Sequence, residues 1–103
     1  MRRLRCFRRA PAQLPSDWRT VVDGVELATL HKPQFHEMFW TSFEIVASTT
    51  PADPRLREDA FWLSDAWRLV DAATGRTASM AFASSAGLRE GGRRVVLRGL
   101  YPD

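Results

Sequence analysis

Apolar and polar residues alternate most cleanly between Trp18 and Leu30. Trp18, Thr20 and Val22 share one side of a period-two strand, and Val25, Leu27 and Thr29 share one side of the next. Asp23-Gly24 separates them. An Asp-Gly pair between β-branched runs predicts a two-residue hairpin turn, because a type I′ turn needs positive φ at both central positions. Met38 to Ser48 is rich in aromatic and β-branched residues and predicts a third strand. His31 to Glu37 reads as a loop, since Pro33 lacks a ladder donor. Thr77–Ser84 and Arg93–Tyr101 predict later strands. Residues 71–76 form a hairpin loop ahead of the first of these, and the glycine-rich 85–92 loop joins the two.

Residues 54–73 admit two readings. As a helix, Asp53 caps the start, Pro54 takes the first position and Gly75 ends it. Leu56, Ala60, Leu63, Trp67 and Val70 then form a stripe at helical spacing. Against this stands an echo. Glu37-Met38-Phe39-Trp40-Thr41-Ser42 is matched by Asp59-Ala60-Phe61-Trp62-Leu63-Ser64, and each is followed by an aromatic-charged-aliphatic-Val run. The echo favours a short helical turn near 54–60, then a strand through Val70. In a strand, neighbours face opposite ways. Each Phe-Trp pair therefore splits across the sheet, and with Phe39, Phe43 and Ile45 in the core Trp40 points outward beside Glu44.

The expected fold is mainly β. It is a compact antiparallel sheet, small sandwich or barrel of six to seven short strands, with at most one short helix near 54–60. The 103 residues make one domain. Residues 1–9 are a basic arm or an edge strand, and 10–17, with Pro11 and Pro15, an extended connector. A hydrophobic content of 45% with 26% charged residues is that of a globular protein, not a disordered chain. Cys6 is the one cysteine, which excludes an internal disulfide and a cysteine-rich zinc site. No apolar run reaches membrane-spanning length, and the basic start lacks the apolar stretch of a secretion signal. The expectation is a cytoplasmic protein without membrane contact or cofactor.

Charge is laid out unevenly. Residues 1–9 carry Arg2, Arg3, Arg5, Arg8 and Arg9 and no acid. The rest holds ten Lys/Arg against twelve Asp/Glu, a balance of −2. A secondary basic cluster lies at Arg89, Arg93, Arg94 and Arg98. Lys32 is the single lysine among fifteen cationic residues. Coding-base composition alone can produce that bias, so arginine counts are weak evidence for nucleic-acid binding.

Three function classes follow. The first is a non-catalytic interaction module, of the kind that includes inhibitors and immunity proteins. It would dock a protein partner through an aromatic-arginine surface of Trp40, Trp62, Trp67, Glu44 and Arg68, because Trp and Arg dominate interface energetics. The second is a nucleic-acid-binding β-module using Arg2, Arg3, Arg5, Arg8, Arg9, Arg93, Arg94 and Arg98. The third is a small metal-dependent or acid–base enzyme around His31, His36, Glu37 and Asp59. It lacks the helical spacing that sets two histidines on one face, and no third ligand is evident. No nucleophile elbow or phosphate loop is present. Self-association through an edge strand is a further option.

Overall fold

A computed structural model describes residues 17–101. Seven strands appear in chain order: β1 (Trp18–Val22), β2 (Val25–Glu37), β3 (Trp40–Ala47), β4 (Arg68–Asp71), β5 (Thr77–Ala78), β6 (Phe82–Ala83) and β7 (Arg94–Arg98). A 3₁₀ turn (Pro54–Arg57) and a one-turn helix, α1 (Asp59–Trp62), separate β3 from β4. All pairings are antiparallel, in the order β5-β4-β1-β2-β3-β7-β6.

The two edge strands dictate the shape. Laid flat, seven strands would hold β5 and β6 roughly 29 Å apart. Only Ser79, Met80 and Ala81 join them, a link that spans at most about 14 Å from Ala78 to Phe82. The sheet must therefore curl, and it forms a half-barrel. The expected single strand 77–84 is really two short pieces. Its start pairs with β4 and its end with β7, so it serves both edges.

The Asp23-Gly24 hairpin is as the pattern demands: Val22 pairs with Val25, and both turn residues have positive φ. Trp18, Thr20 and Val22 all face the core. On β2 the alternation slips, because one extra residue intervenes where Thr20 pairs with Ala28 and Val21 with Glu26. That bulge buries Leu27 and Ala28 in succession. Pro33 does not end the strand either. Between the His31–Glu44 and Gln34–Ser42 pairs β2 carries one residue more than β3. The surplus is taken up at Lys32-Pro33, with Lys32 at φ 50, so the missing donor is absorbed by a second bulge.

The echo is not a structural repeat. Asp53 accepts a hydrogen bond from the Arg55 amide at 2.9 Å and starts the 3₁₀ turn. After an extended Glu58, helical geometry resumes at Asp59 and runs to Trp62, and the strand begins only at Arg68. In a helix, successive residues turn about 100° rather than 180°, so Phe61 and Trp62 both enter the core. Trp62 donates its indole N–H to the Leu56 carbonyl at 3.0 Å, and the Trp67 indole donates to the Trp62 carbonyl at 3.1 Å. Those rings pack with Trp18, Leu30, Phe43, Leu69 and Leu97 inside the curl.

Candidate protein-interaction surface

The β2–β3 hairpin closes through Met38-Phe39, with Glu37 paired to Trp40. Phe39 adopts φ 65, which is unusual for a bulky residue. This turn sends its ring outward, where it is 62% exposed. Trp40 opens β3 on the outer face, one residue beyond the Thr41–Leu97 pair that fixes β3 against β7. Arg98 follows Leu97 on β7 and pairs with Phe82 of β6. Three neighbouring strands thus bring Trp40, Arg98 and Phe82 into one outer row. The Arg98 guanidinium lies 5.2 Å from the Phe39 ring centre and 5.6 Å from that of Trp40. Phe82 meets Trp40 edge to face at 5.5 Å and 82° and stays half exposed. Met38 and Met80, in the adjoining turns, are also exposed.

The aromatic-arginine set read from the sequence divides. Trp62 and Trp67 are buried core residues, 2% and 4% exposed, and cannot meet a partner in this fold. Arg68 sits on β4, three strands from Trp40 in the sheet order, and bonds the Asp65 and Trp67 carbonyls. Glu44 shares the outer face with Trp40 but is tied to Lys32 at 3.4 Å. Phe39, Phe82 and Arg98 join Trp40 instead. Alternation across 77–84 could not have found Phe82, since it shares a phase with the buried Ala78 and the segment is two strands rather than one. Phe39, expected in the core with Phe43 and Ile45, is instead a turn residue pointing outward; its turn lacks the Gly or Asn that would have marked it.

The basic set divides too. Arg2, Arg3, Arg5, Arg8 and Arg9 lie outside the described residues, as does most of the 10–17 connector. Arg94 is buried, correcting its assignment to a nucleic-acid surface. Its Nε donates to Ser42 Oγ at 2.6 Å, and Nη2 donates to the Lys32 and Ser42 carbonyls at 2.7 and 2.9 Å. Arg93 is exposed beside Glu90 at the far end of β7 from Arg98. A buried arginine therefore interrupts the cationic run along that strand.

The acid–base group does not assemble. Asp59 lies on α1, not on a strand beside Glu37. Its carboxylate accepts the Leu88 amide at 2.9 Å and presses on Gly87, where a Cβ would stand 2.9 Å from Oδ2. Asp59 thus clamps the 84–89 loop. His31 Nδ1 is 2.8 Å from Asp17 Oδ2, and His36 is exposed. Among the described residues no three His, Cys, Asp or Glu side chains gather as a metal site would require. A cavity of about 150 Å³ lies between the end of β3 and the 52–57 segment, lined by Ile45, Ala47, Leu56, Asp53, Arg57 and Arg93 among others. Its carboxylate, Asp53, is gripped by Arg55 at 2.8 Å, and the hydrogen bonds from Arg55 hold its pKa down to about 2. That is the wrong poise for a general base near neutrality. No helix among the described residues is long and apolar enough to cross a membrane. No protein-family model, curated protein or solved structure matches the chain.

Proposed function

We propose that this chain is a non-catalytic interaction module that docks a partner protein through Phe39, Trp40, Phe82 and Arg98. One observation carries the reading. Three aromatic rings and an arginine are gathered on the outer face of a sheet whose other tryptophans are all buried. Exposing large rings forfeits burial energy unless another surface covers them. Tryptophan and arginine at the centre of such a patch are typical interface hot spots. Nucleic-acid stacking gains less support. Arg98 already lies over the Trp40 ring, Phe82 abuts it, and Arg94 is unavailable for a phosphate track.

The test compares three forms of the chain as bait in its native host, with crosslinking and quantitative mass spectrometry. They are the wild type, a Trp40→Ser/Phe82→Ser double variant, and Leu63→Ser, which alters an exposed apolar residue elsewhere. Loss of a hot spot of about 2 kcal/mol lowers partner recovery about 30-fold. The reading requires that fall in the double variant alone. Equal recovery by all three forms would refute it.

A further inference from the structure

Arg98 differs from most arginines of this fold. Arg19 and Arg55 face Glu26 and Asp53, Arg93 faces Glu90, and Arg68 and Arg94 are engaged by carbonyls. Arg98 has aromatic rings as neighbours and pairs with no carboxylate among the described residues. Ring faces attract the cation but do not satisfy five N–H donors in hydrogen-bonding geometry. The contacts with Phe39 and Trp40 hold the guanidinium in place, which lowers the entropy lost when it binds. A covering partner would expel water from this apolar surround. A guanidinium there would be left costly and unpaired unless the partner supplied an anion.

Resting on the docking reading above, we infer that the bound protein segment carries an Asp or Glu beside an apolar side chain, and that Arg98 selects the acid. The carboxylate takes two parallel N–H donors from the guanidinium fork. The neighbouring apolar group lies against Phe82 and Phe39. Charge complementarity favours a carboxylate over a nucleic-acid backbone, because one arginine ringed by phenyl and indole groups matches a single anion. A phosphate chain calls for a track of cations.

The experiment selects a random-peptide phage library on the immobilised full chain. Enriched peptides are synthesised with their acid intact and as the matching amide. Each is titrated against wild type, Arg98→Gln, Arg98→Lys, Trp40→Ala and Phe82→Ser, with the melting temperature of every variant checked first. The inference expects enriched peptides to share an acid next to Phe, Leu or Trp. Changing that acid to its amide should weaken binding to wild type about 10- to 100-fold and leave binding to Arg98→Gln almost unchanged. Arg98→Lys should retain part of the affinity, keeping the charge but not the fork. Enriched peptides without an acid, or an amide penalty equal in wild type and Arg98→Gln, would overturn the inference. So would displacement of the peptide by random-sequence single-stranded DNA at physiological salt. Binding that needs Trp40 and Phe82 but ignores Arg98 removes the acid and spares the docking reading. Binding that ignores Trp40 and Phe82 as well removes both.

Discussion

Replacing Trp62 and Trp40 in turn by alanine separates core from surface within one echoed motif. Trp62 is 2% exposed and packs against Phe61 and Trp67 at 5.2 and 5.4 Å between ring centres. Removing a buried tryptophan costs about 3–5 kcal/mol. The Leu56 carbonyl also loses its indole donor, a further penalty of about 1 kcal/mol. Trp40 forfeits less. Its edge contact with Phe82 is worth about 0.5–1.5 kcal/mol and its cation–π contact with Arg98 about 0.5–1 kcal/mol. The expected costs are thus about 4–6 kcal/mol for Trp62→Ala and about 1–2.5 kcal/mol for Trp40→Ala. A domain of this size holds roughly 5–15 kcal/mol in total, so Trp62→Ala stands near the edge of unfolding. Trp62→Phe, which keeps one ring and deletes the N–H, should lose about 1–3 kcal/mol and stay measurable. Urea or guanidinium denaturation at equilibrium gives all three values from the midpoint and slope. Equal losses for Trp40→Ala and Trp62→Ala, or a larger loss at Trp40, would refute the placement of these side chains.

Thr20→Val should stabilise the fold by about 1–2 kcal/mol on denaturation, because the Thr20 hydroxyl is fully buried and no described residue bonds it. Gly99→Ala should cost well over 2 kcal/mol: at φ 79 its Cβ would stand 2.6 Å from the Met80 carbonyl oxygen, which is backbone and cannot swing away. Gly75→Ala, at φ 76 with open space around it, should cost only about 1 kcal/mol by thermal melting. For Asp53, the folded pKa of about 2 lies below the ordinary 3.8. Its carboxylate therefore stabilises the fold fully above pH 4, and that contribution disappears as pH falls through 2. Denaturation midpoints taken down this range should fall more steeply for wild type than for Asp53→Asn.

Local chemistry was readable where it sufficed. Asp23-Gly24 specified its hairpin, and the Trp18-Thr20-Val22 side of β1 followed from alternation alone. Alternation failed on β2, because the bulge at Leu27 depends on how β1 aligns and leaves no mark in composition, while Pro33 marked an irregularity but not whether it would be a loop or a bulge. Phe61-Trp62 misled for another reason. The helix cues at Asp53 and Pro54 were local and correct, while similarity to Glu37–Ser42 concerned residue types and not backbone geometry. The outward set of Trp40 was legible from its phase against Phe43. Its meeting with Arg98 and Phe82 was not, since those residues come from strands more than forty positions away whose register only the folded sheet defines.

The short link of Ser79 to Ala81 gives the patch a mechanical dimension. Phe82 belongs to an edge strand of two residues, whereas Trp40 and Arg98 sit on strands inside the sheet. If the edge peels from β7, Phe82 leaves the row and the link to β5 is pulled with it. A ligand that spans all three residues recognises only the latched sheet. Mass action then ties occupancy to closure, adding about 2.7 kcal/mol at a hundredfold excess over the dissociation constant. Amide exchange across 77–84 would slow accordingly, so the seam of the half-barrel doubles as a gauge of whether its outer face is filled.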